Sequence, residues 1–123
     1  MITGVVKSNR EATVLLAVRD ANGREREVEA ILDTGFNGSL TLPSSLITAL
    51  GLPWRSQTIV MLANGTEDQC DVHSATVIWD GQPRLITIES ADTTPLVGMA
   101  LLYGYRVQID VVDGGTVLIG TVR

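Results

Sequence analysis

An acid, a hydroxyl and a glycine follow directly on an apolar run in the segment Ala30-Ile31-Leu32-Asp33-Thr34-Gly35-Phe36-Asn37-Gly38-Ser39-Leu40. This order puts the Asp33 carboxyl at the end of a buried element, where loss of water favours the protonated form and suits the group to proton transfer. Gly35 permits a sharp turn with close backbone approach, so main-chain N–H groups could fix the orientation of the carboxylate. Alone, Asp-Thr-Gly more often marks an ordinary turn after a strand. Other chemistries find less support. Glu67, Asp68, Asp71 and His73 are close in sequence, but on a strand Asp71 and His73 face one side and Asp68 the other. A single ion would collect few of them, and no metal is expected there. His73 is the only histidine and Cys70 the only cysteine. No partner geometry for Ser-His-Asp or Cys-His catalysis is evident.

The elements that position Asp33 read as strands. Runs rich in Val, Ile, Leu and Thr, often alternating with period two, are separated by turn residues at short intervals. Ala12 to Leu32 reads as a hairpin turning at Asp20-Ala21-Asn22-Gly23, with Val28, Ala30 and Leu32 on one face. Asn64-Gly65 has the residues of a tight type I′ connection. Asp80-Gly81 joins Val72–Trp79 to Gln82–Glu89, and Asp113-Gly114-Gly115 joins Tyr105–Val112 to Thr116–Val122. Two short helices are expected. Pro43-Ser44-Ser45 offers a first-turn proline and capping hydroxyls to a helix that Gly51 ends, and Met99–Tyr103 lies between Gly98 and Gly104. The pattern is all-β, of a size that fits a compact closed sheet.

With 123 residues, 45% of them hydrophobic, the chain suits one globular domain spanning 1–123. Such a domain buries roughly two thirds of the surface its unfolded chain exposes, so it needs neither disulfide nor structural metal. The lone Cys70 agrees, and weakly favours a reducing compartment. No secretory leader or membrane span is apparent, and a cytoplasmic location is expected. A formal charge of -5 argues against nucleic acid or an anionic membrane as partner. Trp54 and Trp79 read as core residues. Asn64-Gly65-Thr66 matches a glycosylation acceptor but reads as a turn.

Some sixty residues beyond Asp33 lies Pro95-Leu96-Val97-Gly98-Met99-Ala100-Leu101-Leu102. Two apolar residues and a glycine before a short helix, preceded by a hairpin at Asn64-Gly65 and by apolar-Asp-Thr-Gly, make the chain resemble the retropepsin-like aspartic peptidases. The likeness runs from Val14 to Gly120. It includes cellular and bacterial members with an Asp-Thr-Gly-Phe motif and the retropepsin-like domain of DNA-damage-inducible ubiquitin shuttle proteins. It implies a small closed β-barrel of the acid-protease type with one or two short helices. Catalysis in that family needs two carboxylates sharing one proton. This chain has one such motif, so the resemblance implies a homodimer in which each subunit gives one Asp33. The pair would activate a water to hydrolyse a peptide bound as an extended strand, with no cofactor. By the same resemblance, Thr34 would bond across the two-fold axis, and Gly35 would contact substrate backbone or the aspartate. Ala63, Asn64 and Gly65 would close as a flap, while Leu96, Val97 and Gly98 pack behind the active-site loop.

Two positions depart from the family pattern. Phe36 stands where proteolytic members usually have Ala or Ser, which favours an alternative in which the same fold binds peptides or mediates dimerisation without catalysis. Met99 and Asn37 replace the Arg and acid that viral members pair, so that ion pair cannot form and dimer stability must come from elsewhere, such as the terminal strands and closing hairpin. A third reading is an unrelated small β-barrel in which Asp33 is only a turn residue.

Overall fold

The computed structural model describes residues 1–122. Ten strands and two short helices follow one another as β1 (Ile2–Val6), β2 (Ala12–Arg19), β3 (Glu25–Leu32), β4 (Leu40–Leu42), α1 (Ser44–Leu50), β5 (Trp54–Met61), β6 (Glu67–Trp79), β7 (Gln82–Ser90), β8 (Leu96–Val97), α2 (Met99–Leu102), β9 (Tyr105–Ile109) and β10 (Thr116–Thr121). Period-two alternation decides which face turns inward. Val14, Leu16 and Val18 of β2 are buried while Leu15 between them is exposed, and Val28 and Ala30 of β3 face the same interior. Ala75, Val77 and Trp79 of β6, Ile86 and Ile88 of β7, and Val117 and Ile119 of β10 complete it. Each such Val, Leu or Ile side chain contributes on the order of 1.5–3 kcal/mol on leaving water.

The strands hydrogen-bond in the order β5-β6-β7-β4-β8-β3-β2-β1-β10-β9, and β6 also pairs with β2. That added contact, Ala17 with Ile78 and Val18 with Val77, closes β2, β3, β8, β4, β7 and β6 into a ring around the core. The short strands β4 and β8 sit at its centre of pairing. β8 runs parallel to β3, β4 runs parallel to β7, and the two meet antiparallel at Leu40 and Val97. Both of these residues are fully buried.

Local expectations met different fates. The β2–β3 hairpin turns at Gly23 with φ of 79°. The tight two-residue turn with both residues at positive φ is at Asp80 (53°) and Gly81 (78°), not at the flap. At Asn64-Gly65 only the glycine is left-handed, at 84°. Gly65 N–H donates to Leu62 O at 2.9 Å and Leu62 N–H to Thr66 O at 2.7 Å, a three-residue connection in place of the expected type I′ turn. β9 ends at Ile109 and leaves Val111 and Val112 exposed, because Val112 N–H turns back to Asp110 O and Gly114 N–H bonds Val6 O across to β1. α2 is a single turn ending at Leu102. Pro43 occupies the cap position of α1 rather than its first turn, and the Ser44 hydroxyl caps nothing. It donates to Asp92 Oδ1 at 2.8 Å, as does the Ser44 N–H at 3.0 Å, so a residue beyond β7 satisfies the helix start. Those bonds hold the Asp92 carboxyl below its ordinary range. Trp79 is buried as expected and stands edge-on to Tyr105, but Trp54 is 58% exposed and its indole N–H donates to Asp71.

Candidate active site

Asp33 is the first residue past β3, and its backbone continues the β3–β8 pairing. Ile31 N–H donates to Pro95 O at 2.8 Å and Asp33 N–H to Val97 O at 2.9 Å, so the acid leaves the sheet from a fixed rung. Its side chain is half-buried. Gly35 N–H donates to Asp33 Oδ1 at 2.9 Å and Phe36 N–H to Asp33 O at 3.2 Å. The turn thus orients the carboxylate through one oxygen, although Gly35 has no left-handed φ there and a Cβ on it would meet only Asp33 Oδ1, at 3.3 Å. Oδ2 takes no hydrogen bond among the described residues. Thr34, Gly35 and Asn37 are exposed beside it, and Phe36 is half-buried.

The second half of the motif holds the loop from behind. Gly98 N–H donates to Ser39 O at 3.0 Å, Met99 N–H to Phe36 O at 2.8 Å and Ala100 N–H to Gly38 O at 3.1 Å. Three successive donors of one segment therefore pin residues 36–39. The crossing is so close that a Cβ on Gly98 would overlap the Gly38 carbonyl oxygen and the Phe36 ring. Leu96, Val97 and Gly98 do pack behind the Asp33 loop. The short helix α2 is itself anchored by Arg84 of β7, whose guanidinium donates to Leu101 O at 3.2 Å and Ala100 O at 3.3 Å. Arg84 was invisible in the sequence, because nothing local links it to α2.

Ala63, Asn64 and Gly65 form the tip of the β5–β6 hairpin, whose arms pair from Trp54 with His73 to Met61 with Glu67. Nearly every residue of its outer half is exposed, and no hydrogen bond among the described residues ties the tip to the Asp33 loop. Asn64 Oδ1 instead accepts from the N–H and hydroxyl of Thr66. Between the outer half of the hairpin, beside its tip, and Phe36 lies a cleft of about 380 Å³. The carboxylates of the hairpin arm do not gather. Asp71 accepts from Trp54 Nε1 and Gln57 Nε2, which hold it below the ordinary carboxylate range, and His73 Nδ1 lies 3.1 Å from Leu52 O. No cluster of three metal-ligating side chains occurs among the described residues.

Sequence reasoning also missed Glu89. It sits at the end of β7 with one carboxylate oxygen, Oε2, buried and without a hydrogen-bond partner among the described residues. Burial pushes its carboxyl above the ordinary range. An alternating strand with a charge near its end reads as solvent-facing, and only the folded loop covers that face.

No protein-family model and no curated protein matches the chain. Solved structures do. The chain superposes on EIAV protease in complex with an inhibitor at a TM-score of 0.58 and 16% identity, covering 77% of this chain and 88% of that one. It superposes on a retropepsin-like aspartic protease from Rickettsia conorii at a TM-score of 0.62 and 15% identity, covering 99% of this chain and 91% of that one. The likeness is one of fold, and the all-β fold described above is retropepsin-like.

Proposed function

We propose that two copies of this chain form an aspartic endopeptidase whose catalytic pair is Asp33 from each subunit. The observation that carries the reading is the setting of Asp33. It stands on a fixed rung at the end of a sheet strand, oriented by its own loop and backed by the Gly98 crossing. A lone carboxylate cannot both bind a proton and release one in the same step. Two brought together share a single proton, since like charges a few Å apart cannot both ionise. The ionised member takes a proton from water as it attacks the peptide carbonyl, and the protonated member donates to the carbonyl oxygen. The substrate lies as an extended strand under the β5–β6 hairpin.

A second reading, peptide binding without hydrolysis, draws support from Phe36, whose ring lies against Gly38 and Gly98 and lines the cleft. One experiment separates the two. A diverse peptide library is exposed, at roughly pH 4 to 7, to wild type and to Asp33→Asn at concentrations where the dimer is verified. The variant keeps an oxygen to accept the Gly35 N–H, so its fold is retained. Cleavage by wild type that drops by at least about a thousandfold in the variant supports hydrolysis. Binding without cleavage by a verified dimer supports the second reading, and a monomer that neither binds nor cleaves peptides excludes both.

A further inference from the structure

β7 runs parallel to β4 with Glu89 opposite Thr41, and its end passes beneath the active-site loop. A Cβ on Gly38 would overlap both Glu89 Oε2 and the Phe36 ring, so the carboxylate, the glycine and the ring lie together. Oε2 has no donor among the described residues. An acceptor buried in that way is costly until something donates to it.

Glu89 also lines the cleft of about 380 Å³ between the active-site loop and the hairpin. Phe36, Met61 and Leu62 give it apolar walls, and Asp68 and Asp92 stand with Glu89 among its lining residues, which include no lysine or arginine. A side chain with a long aliphatic stem and a cationic head fits it, its stem against the walls and its head on the carboxylate from the cleft side, where a positive charge offsets the cost of the Oε2 that Gly38 and Phe36 shut off from water. An apolar side chain would leave the carboxylate unpaired, and an acidic one would be repelled.

We propose that Glu89 determines specificity, by receiving a lysine or arginine side chain of an extended peptide bound across the Asp33 site. The inference rests on the reading of that site as a peptide-binding one. Its test uses a peptide series in which lysine or norleucine occupies each successive position. Affinities are measured by fluorescence anisotropy on chains carrying Asp33→Asn, which prevents turnover, with and without Glu89→Gln. At one position lysine is expected to bind roughly tenfold tighter than norleucine, the scale of one charge-assisted hydrogen bond. Glu89→Gln should bring that ratio close to one. Equal affinities at every position, no binding at all, or a lysine preference that survives Glu89→Gln would each overturn the proposal. Cleavage of the same peptides by chains with Asp33 intact is scored separately. A Glu89-dependent preference without cleavage upholds the inference and removes the peptidase reading, and cleavage without that preference does the reverse.

Discussion

Among single residues, Asp33 and Glu89 are two carboxylates in different settings. Asp33 is half-buried, carries one hydrogen bond from its own loop and leaves an oxygen available. Glu89 is also half-buried but has one carboxylate oxygen shut off from water, and burial raises its proton affinity above the ordinary range. Its titratable neighbours are Asp68 and Cys70 on β6 and Asp92 beyond β7, while the 36–38 loop and β4 bring no charge to it. The folded chain therefore holds a proton on Glu89 more tightly than the unfolded chain does. Ionisation of Glu89 opposes folding, and this penalty is absent below the unfolded-state value, grows as pH rises through the raised one and is complete above it. Glu89→Gln is accordingly expected to raise the thermal midpoint more near pH 7 than near pH 4. Melts across that range check it, and an equal or reversed effect would show that the carboxylate is not desolvated.

Elements place these residues, and their legibility varied with the range of the contact involved. Strands β2, β3, β6, β7 and β10 were readable because alternation is local and one face of each is buried. The Asp80-Gly81 turn was readable because its residues tolerate positive φ. The start of α1 was not, since its partner Asp92 lies 48 residues away. Glu89 escaped for a related reason. It follows Ile88 in phase with the exposed Leu85 and Thr87, and only the packing of Phe36 and Gly38 over the end of β7 withdraws it from water. The motif pair did announce itself, because Gly98 must lack a side chain to let the Asp33 loop rest on α2. Gly98→Ala should cost ~1–3 kcal/mol as the overlap is relieved by displacing the loop. Peptide cleavage should fall more steeply than stability does. Denaturant unfolding and a cleavage assay on one preparation test this, and a variant as stable and as active as wild type would show the crossing to be loose.

For the whole molecule, the ring of strands closes around one core and presents one Asp33 loop. The fold likeness to two proteases spans most of this chain, yet folds of one kind host active and inactive members. What would make this one a catalyst is a second copy, with the two loops facing each other across a two-fold axis. A subunit-mixing measurement reaches that claim directly. Wild type and Asp33→Asn chains are co-refolded in equal amounts at fixed total concentration, and cleavage is compared with that of wild type alone. Random pairing leaves about a quarter of the dimers with two intact carboxylates, so activity should fall to about a quarter if the site is shared. A fall to only about a half would mean that each chain works alone, and would contradict the account.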